Sequence, residues 1–150
     1  MRVITGSARG RVLKTLSGDA TRPTTDKVKE AVFSAIQFDI EGRRVLDLFA
    51  GSGQLGIEAL SRGAAHCVFV DANKQAVEIV RKNLKKTDLS DKASVICRKA
   101  EDFLLSKGET FDLVFLDPPY GMELLPDLLE KLPALLSSYA TVICEHAIHQ

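Results

Sequence analysis

From residue 43 onward the sequence alternates short apolar runs with helical patterns, and this alternation constrains the fold more than any other feature. The runs are rich in Val, Leu, Ile and Phe, and the stretches between them repeat apolar residues at helical spacing. Near-continuous apolar strands are typical of parallel sheets that helices cover on both faces. Since such crossovers are right-handed, the sequence predicts an α/β, doubly wound, Rossmann-like sheet.

The predicted elements follow one another without a linker or an internal repeat. The pattern places strands at 43–49, 66–71, 93–98, 111–117 and 140–145, and helices at 54–62, 73–86, 100–107 and 122–136. In such sheets ligands bind at the carboxyl ends of the strands, near the point where the strand order reverses. We therefore look for a site in the loops that follow the strands.

Residues 1–40 differ from this core. Two β-prone runs around the turn "GSARG" predict a β-hairpin with Arg9 at its tip, and an amphipathic helix follows, with Thr24 or Thr25 as its N-cap. With 150 residues, 45% of them hydrophobic, the chain suffices for one core but hardly for two. We expect a single domain, 1–150, made of this basic extension and an α/β core at 43–150.

The charge balance argues against a general nucleic-acid binder. Twenty Lys and Arg residues offset twenty Asp and Glu residues, so a basic surface must be local. The first fourteen residues carry Arg2, Arg9, Arg11 and Lys14 without any acid, and Arg22 follows. Two interpretations stay open for this basic patch, a solvated face and a contact with a polyanion.

Other residue types indicate an ordinary protein of a reducing compartment. Cys67, Cys97 and Cys144 stand in apolar runs and are predicted to be core thiols, and the histidines lack clustered partners, so we expect no metal. No apolar run reaches membrane-spanning length, and no signal-peptide core precedes residue 25. We expect a cytoplasmic protein without a membrane partner, and a monomer.

The stretch "VLDLFAGSGQLG" predicts a nucleoside-binding loop. Gly51, Gly53 and Gly56 have the G-x-G-x-x-G spacing between a strand and a helix, and Asp71 ends the next strand, where an acid can accept hydrogen bonds from ribose hydroxyls. Asp47 would be awkward beside a pyrophosphate but favourable beside a sulfonium and an ammonium, so the pattern favours S-adenosylmethionine over NAD. The structural alternative makes Asp47 a helix cap and the glycines packing residues.

The stretch "RKAEDFLL" follows the third strand, where an adenine ring would lie. Ala100 begins it, Glu101 or Asp102 could accept a hydrogen bond from the adenine amino group, and Phe103 could pack against the ring. An acid at a helix start is equally an ordinary dipole contact, and both interpretations stay open.

The stretch "DLVFLDPPYG" predicts a site for an exocyclic amine of a base. Asp117 and the rigid carbonyl of Pro118 can each accept one N–H, which localises the lone pair on the nitrogen, while the base stacks on Tyr120. A capping Asp in a Pro-rich turn is the structural alternative.

With these motifs the chain resembles class I S-adenosylmethionine-dependent amino-methyltransferases. The order "MRVITGSARGRVLKT", "TRPTTDKVKEAVFSAI", "VLDLFAGSGQLGIEALSRGA" and "FDLVFLDPPYG" resembles more closely the bacterial methyltransferases that modify 16S rRNA of the small subunit at the N2 atom of a guanine, of the guanine(966)-N(2) type. The resemblance implies S-adenosylmethionine as cofactor, 16S rRNA in the assembled small subunit as partner, and no metal. Members of that family continue for further strands beyond the point where "VICEHAIHQ" ends this chain.

The resemblance also implies roles for individual residues. Cofactor contacts are expected from Arg22, Thr24, Asp47, Phe49, Gly51, Ser52, Gly53, Asp71, Ala72, Ala100, Glu101 and Asp117; catalysis from Asp117, Pro118, Pro119 and Tyr120; and RNA contacts from Arg2, Arg9, Arg11, Lys14 and Arg22. Three other functions remain as alternatives: a DNA adenine-N6 methyltransferase, a noncatalytic RNA-binding module of the same fold and, most distantly, an NAD dehydrogenase.

Overall fold

A five-stranded parallel sheet organises the protein, whose structure is a computed structural model that describes residues 2–15, 26–106, 108–118 and 125–144. The strand order is β3-β2-β1-β4-β5, so the order reverses between β1 and β4. The strands are β1 Arg44–Leu48, β2 His66–Asp71, β3 Ala93–Cys97, β4 Phe111–Leu116 and β5 Leu136–Cys144. The α-helices are α1 Asp26–Ala35, α2 Gln54–Ser61, α3 Lys74–Lys86, α4 Ala100–Phe103 and α5 Leu125–Lys131, with short 3₁₀ helices at Ser90–Lys92 and Leu132–Leu135.

Helices cover both faces of the sheet, as predicted for a doubly wound fold. On one face Phe33 of α1 and Val80 of α3 belong to a buried cluster with Phe69 and Phe115 of the strands. On the other face Phe103 of α4 and Leu128 of α5 join a second buried cluster. Alternate strand residues therefore supply two separate cores, which explains why the strands read as continuous apolar runs.

The predicted N-terminal β-hairpin is reduced to a turn with one antiparallel bridge, between Arg2 and Val12. We call residues 2–15 the N-terminal segment. Hydrogen bonds hold the segment to α2, and Val3, Ala8 and Leu13 are buried in the core. The carboxylate of Glu58 accepts the backbone N–H groups of Ile4 and Thr5 at 2.8 and 3.0 Å. The Ser61 hydroxyl accepts the N–H of Ala8 at 2.9 Å, so hydrogen bonds to side chains of α2 replace the strand pairing that a longer hairpin would have.

Two predicted helix ends were wrong. The helix predicted at 122–136 ends as an α-helix at Lys131 and continues as a 3₁₀ helix, and β5 begins at Leu136 rather than at residue 140. Pro133 has no N–H to donate to the carbonyl four residues earlier, which ends the α-helix. The helix predicted to run to residue 107 ends at Phe103.

The prediction of three core thiols was wrong for two of them. Cys67 is buried, but Cys97 and Cys144 are exposed. These two residues end β3 and β5, the two edge strands of the sheet that the structure describes.

Candidate active site

Strand register brings three of the predicted site residues to one level at the carboxyl edge of the sheet. Leu48 of β1 is paired with Val70 of β2 and with Leu116 of β4. The next residues, Phe49, Asp71 and Asp117, therefore lie at the carboxyl ends of three neighbouring strands. This row stands at the reversal of strand order, where doubly wound folds bind their ligands.

The loop between β1 and α2 has the backbone geometry that its glycines predicted. Gly51 and Gly53 have φ values of 59° and 83°, in the left-handed region that favours glycine. The N–H of Gly51 donates to Asp71 Oδ2 at 2.8 Å, and the N–H of Asn73 donates to the other carboxylate oxygen at 2.8 Å. Asp71 thus fixes the glycine loop to the end of β2.

Phe49 also has a left-handed backbone, with φ at 66°, which a side chain this large rarely adopts. Its neighbour Ala50 donates its N–H to the carbonyl of Val70 at 2.9 Å, which continues the strand pairing past the strained residue. Such strain is concentrated at functional sites, and here it accompanies a side chain that lines a pocket.

A pocket of about 370 Å³ lies beside this row of residues. Its lining combines an aromatic ring, two carboxylates and small residues, a set suited to a nucleoside: Phe49, Val70, Asp71, Ala72, Asn73, Lys99, Ala100 and Glu101. Five of these were predicted from the sequence. Val70, Asn73 and Lys99 were missed, although their position at the ends of β2 and β3 is a usable signal.

Asp47 lies beneath the loop rather than on the pocket wall. Its side chain is 1% exposed, and its carboxylate accepts the N–H of Gly56 at 3.0 Å. Burial raises the pKa of Asp47 well above its usual range, the Gly56 N–H opposes this, and the charges of Asp117 and Asp71 raise the pKa further. The contact is the one that the structural alternative described.

Phe103, which was predicted to pack against an adenine ring, does not line the pocket. Phe103 is 4% exposed and packs against Phe111, with ring centroids 6.4 Å apart. The aromatic ring that lines the pocket is Phe49, and of the two acids Glu101 is on the lining.

The predicted catalytic turn is described only in part. Asp117 is half-buried and Pro118 is buried at the end of β4. Pro119 and Tyr120 lie outside the described residues, as do Arg22 and Thr24. The half-buried carboxylate is therefore at the edge where the prediction required it, one strand away from the glycine loop.

The basic patch is exposed, and α3 extends it. Arg2, Arg9, Arg11 and Lys14 are all exposed. The Arg11 guanidinium donates to the carbonyl of Lys86 at 2.6 Å, and Lys85 and Lys86 form the basic last turn of α3. Sequence reasoning missed this contribution because α3 is far from the segment along the chain.

Neither a metal-binding cluster nor a membrane-spanning helix is present in the part of the chain that the structure describes. No three side chains among its His, Cys, Asp and Glu residues come together as ligands of a metal ion would. No helix in the described ranges combines the length and apolar character needed to cross a membrane.

Fold and site together define a class, the Rossmann-like S-adenosylmethionine-dependent methyltransferases. The chain belongs to the family described as "Conserved hypothetical protein 95", which matches residues 1–150. The Bacillus subtilis (strain 168) protein YlbH is 49% identical over 97% of this chain and 82% of its own length. "Ribosomal RNA small subunit methyltransferase D" of Haemophilus influenzae is 40% identical, over 88% of this chain and 70% of its own length.

Solved structures agree with the class. The structure of Escherichia coli yhhF matches with a TM-score of 0.89 and 36% identity, over 99% of this chain and 82% of that chain. The fold alone is shared with the "SAM Dependent Methyltransferase from Agrobacterium tumefaciens", at a TM-score of 0.68 and 24% identity over 81% of this chain and 44% of that one. The predicted fold, family and cofactor of the class are thus confirmed.

Proposed function

We propose that this protein methylates the exocyclic N2 of a guanine in 16S rRNA, of the guanine(966)-N(2) type, with S-adenosylmethionine as methyl donor. The observation that carries the proposal is the half-buried carboxylate of Asp117, in one row with the pocket residues Phe49 and Asp71. The relative named as a small-subunit rRNA methyltransferase supports rRNA as the substrate class. We further propose that the assembled subunit, rather than free rRNA, is the partner of a monomeric, metal-independent enzyme.

The pocket residues fit the nucleoside half of the cofactor. Asp71 has carboxylate lone pairs beyond the two that the Gly51 and Asn73 amides use, and these can accept ribose hydroxyls. Phe49 and Ala100 offer apolar surface to an adenine ring, and Glu101 can accept its amino group. When bound, S-adenosylmethionine supplies an electrophilic methyl group on a positively charged sulfur.

Catalysis then depends on holding a weakly nucleophilic amine. In this proposal Asp117 and the carbonyl of Pro118 each accept one N–H of the guanine amino group, so that its lone pair faces the methyl group. The amine nitrogen gains a bond to carbon as the carbon–sulfur bond breaks, and it then loses one proton through Asp117 to water. The carboxylate of Asp117 stabilises the positive charge that develops on the amine nitrogen before the proton leaves.

We place the RNA-binding surface on the N-terminal segment. Its exposed Arg2, Arg9, Arg11 and Lys14 form one basic patch with the last turn of α3. Phosphate contacts of this kind position an RNA without reading its sequence, and they weaken as salt concentration rises.

Replacing the catalytic carboxylate tests the proposal. Asp117→Asn keeps the size of the side chain but removes its charge, and we expect turnover on small subunits that lack the modification to fall by about two to three orders of magnitude. The affinity for S-adenosylhomocysteine, measured by calorimetry, should stay within about threefold of wild type, because the nucleoside pocket is intact. Asp91→Asn, an exposed change before β3 at the opposite sheet edge, is the matched control. Wild-type turnover in the Asp117→Asn variant would rule out the mechanism.

A further inference from the structure

One buried amide connects the N-terminal segment with the glycine loop. Asn83 of α3 has 0% of its surface exposed. Its Oδ1 accepts the N–H of Lys14 at 2.7 Å, and its Nδ2 donates to the carbonyl of Lys14 at 2.8 Å and to the carbonyl of Ser52 at 2.9 Å. Asn83 thus pairs with Lys14 as a neighbouring strand would, while its second N–H reaches the loop.

The geometry makes these three bonds interdependent. The amide of Asn83 is planar, and both of its N–H donors are in use, so its orientation is set jointly by Lys14 and Ser52. A buried amide that loses one partner pays a desolvation cost, which favours keeping all three bonds or none. A displacement of the Lys14 backbone would therefore shift the Asn83 amide and its hydrogen bond to the Ser52 carbonyl.

The glycine loop between β1 and α2 is restrained by this hydrogen bond from Asn83. Ser52 lies between Gly51 and Gly53, both with left-handed backbones and few intrinsic restraints. The bond from Asn83 holds the carbonyl between these two glycines. Because the N–H of Gly51 is bonded to Asp71, a shift at Ser52 would also disturb the acid that lines the nucleoside pocket.

We propose that Asn83 is a positioning residue that couples docking of the N-terminal segment to cofactor binding at the glycine loop. Coupling of this kind is reciprocal: cofactor that fixes the loop strengthens the docking of the segment, and a ligand that fixes the segment strengthens cofactor binding by the same factor. The inference rests on the proposed function only in identifying that second ligand as RNA bound to the basic patch.

Hydrogen exchange in the wild-type protein tests the coupling directly. Saturating S-adenosylhomocysteine should slow exchange of the Lys14 amide, which is bonded to Asn83, more than exchange of the Ile4 and Thr5 amides, which are bonded to Glu58. Unchanged exchange at Lys14 with cofactor bound would overturn the coupling and leave the proposed function standing. Failure of the protein to bind S-adenosylhomocysteine at all would overturn both.

A pair of variants separates positioning from simple stability. Asn83→Ala should raise the KM for S-adenosylmethionine and the Kd for S-adenosylhomocysteine about tenfold or more, while kcat at saturating cofactor stays within about threefold of wild type. The control is Thr87→Val, because Thr87 is the buried C-cap of the same helix and its hydroxyl donates to the carbonyls of Asn83 and Leu84 rather than to the N-terminal segment or the glycine loop. This control should lower Tm without weakening cofactor binding. Equal loss of affinity in both variants, or unchanged affinity in Asn83→Ala, would overturn the proposal.

Adding RNA completes the test. An RNA oligonucleotide bound to the basic patch should tighten S-adenosylhomocysteine binding in the wild type, and the effect should vanish in Asn83→Ala. RNA that binds both proteins but changes neither cofactor affinity would overturn the coupling. If the RNA does not bind at all, the proposed RNA-binding role of the basic patch is wrong. Hydrogen exchange of the Lys14 amide then still decides whether the coupling exists.

Discussion

Asp47 supports the glycine loop from the interior of the domain. Its carboxylate is buried under the glycine loop and accepts the N–H of Gly56, near the start of α2. In the sequence, the negative charge of Asp47 favoured S-adenosylmethionine over NAD, yet burial disfavours that charge, as the raised pKa of Asp47 indicates. The cofactor was inferred correctly, but the residue supports the loop from below.

The buried carboxylate predicts a pH-dependent stability. An acid whose pKa is raised by folding opposes folding once the pH exceeds its unfolded value of about 4. Asp47→Asn retains an acceptor for the Gly56 N–H, so we expect it to be more stable than wild type at pH 7. The gain should shrink as pH falls toward about 4, because below that pH the carboxyl is protonated in both the folded and the unfolded state. Urea unfolding of both proteins from pH 4 to pH 7 measures this, and a gain that does not change with pH would contradict it.

Gly56 shows that the third glycine of the loop motif is a packing residue. A Cβ added there would lie 2.4 Å from Phe69 Cε2 and 2.7 Å from Cys67 Sγ. The glycine therefore lets α2 approach β2 closely, independently of any ligand.

We expect Gly56→Ala to destabilise the fold by about 1–3 kcal/mol through overpacking. The double variant with Phe69→Leu should lose less stability than the sum of the two single changes, because the shorter side chain makes room for the methyl group. Urea unfolding of the four proteins gives the coupling. Strict additivity would show that the clash is not with Phe69.

At the residue scale, the sequence was informative wherever backbone chemistry fixes the choice. Gly51, Gly53 and Asp71 were predicted because a left-handed turn and an acid at a strand end leave few alternatives. Glu58 and Asn83 could not be predicted, since a buried polar residue on an amphipathic helix reads like any exposed one. Their partners in the N-terminal segment lie more than fifty residues away along the chain.

At the scale of elements, α2 serves two purposes, and its charged residues explain how. Its N-terminal end follows the glycine loop, and its Glu58 holds the N-terminal segment. Glu58 also pairs with Lys29 of α1 at 3.1 Å and with Arg62 at 2.9 Å, and both members of the Lys29 pair are fully buried. One carboxylate therefore joins α1, α2 and the segment.

We expect Glu58→Ala to destabilise the fold by about 3–5 kcal/mol, because it removes the buried carboxylate beside Lys29. The control is Glu78→Ala, whose ion pair with Arg81 is more than half exposed and should cost less than about 0.5 kcal/mol. Thermal and urea unfolding compare the two. Similar losses in both variants would contradict the role of Glu58.

The strands were better predicted than the helices. Four of the five strands begin and end within a residue of the predicted bounds, because continuous apolar runs have few other structures available to them. The end of α5 and the short α4 were misjudged, since a 3₁₀ turn and a one-turn helix retain helical spacing of apolar residues. Docking of the N-terminal segment depends on tertiary contacts that the hairpin pattern could not reveal.

At the scale of the whole molecule, one sheet edge gathers the loops that carry the proposed chemistry. The pocket lined by Phe49, Asp71 and Glu101 lies at the ends of β1, β2 and β3, and the carboxylate of Asp117 follows β4. The N-terminal segment is connected to the glycine loop through Asn83. The formal net charge is zero, and the basic patch is local. This charge distribution is consistent with the proposed enzyme binding RNA at a defined surface rather than over its whole surface.

The most direct test of the central claim is to identify the methylated nucleoside. The protein is incubated with labelled S-adenosylmethionine and small ribosomal subunits that lack the modification, and DNA is tested in a parallel reaction. The nucleosides are then separated and identified by mass spectrometry. We predict label in rRNA alone, as N2-methylguanosine. Label in DNA as N6-methyladenine, or no label in either substrate although S-adenosylhomocysteine binds, would contradict the account.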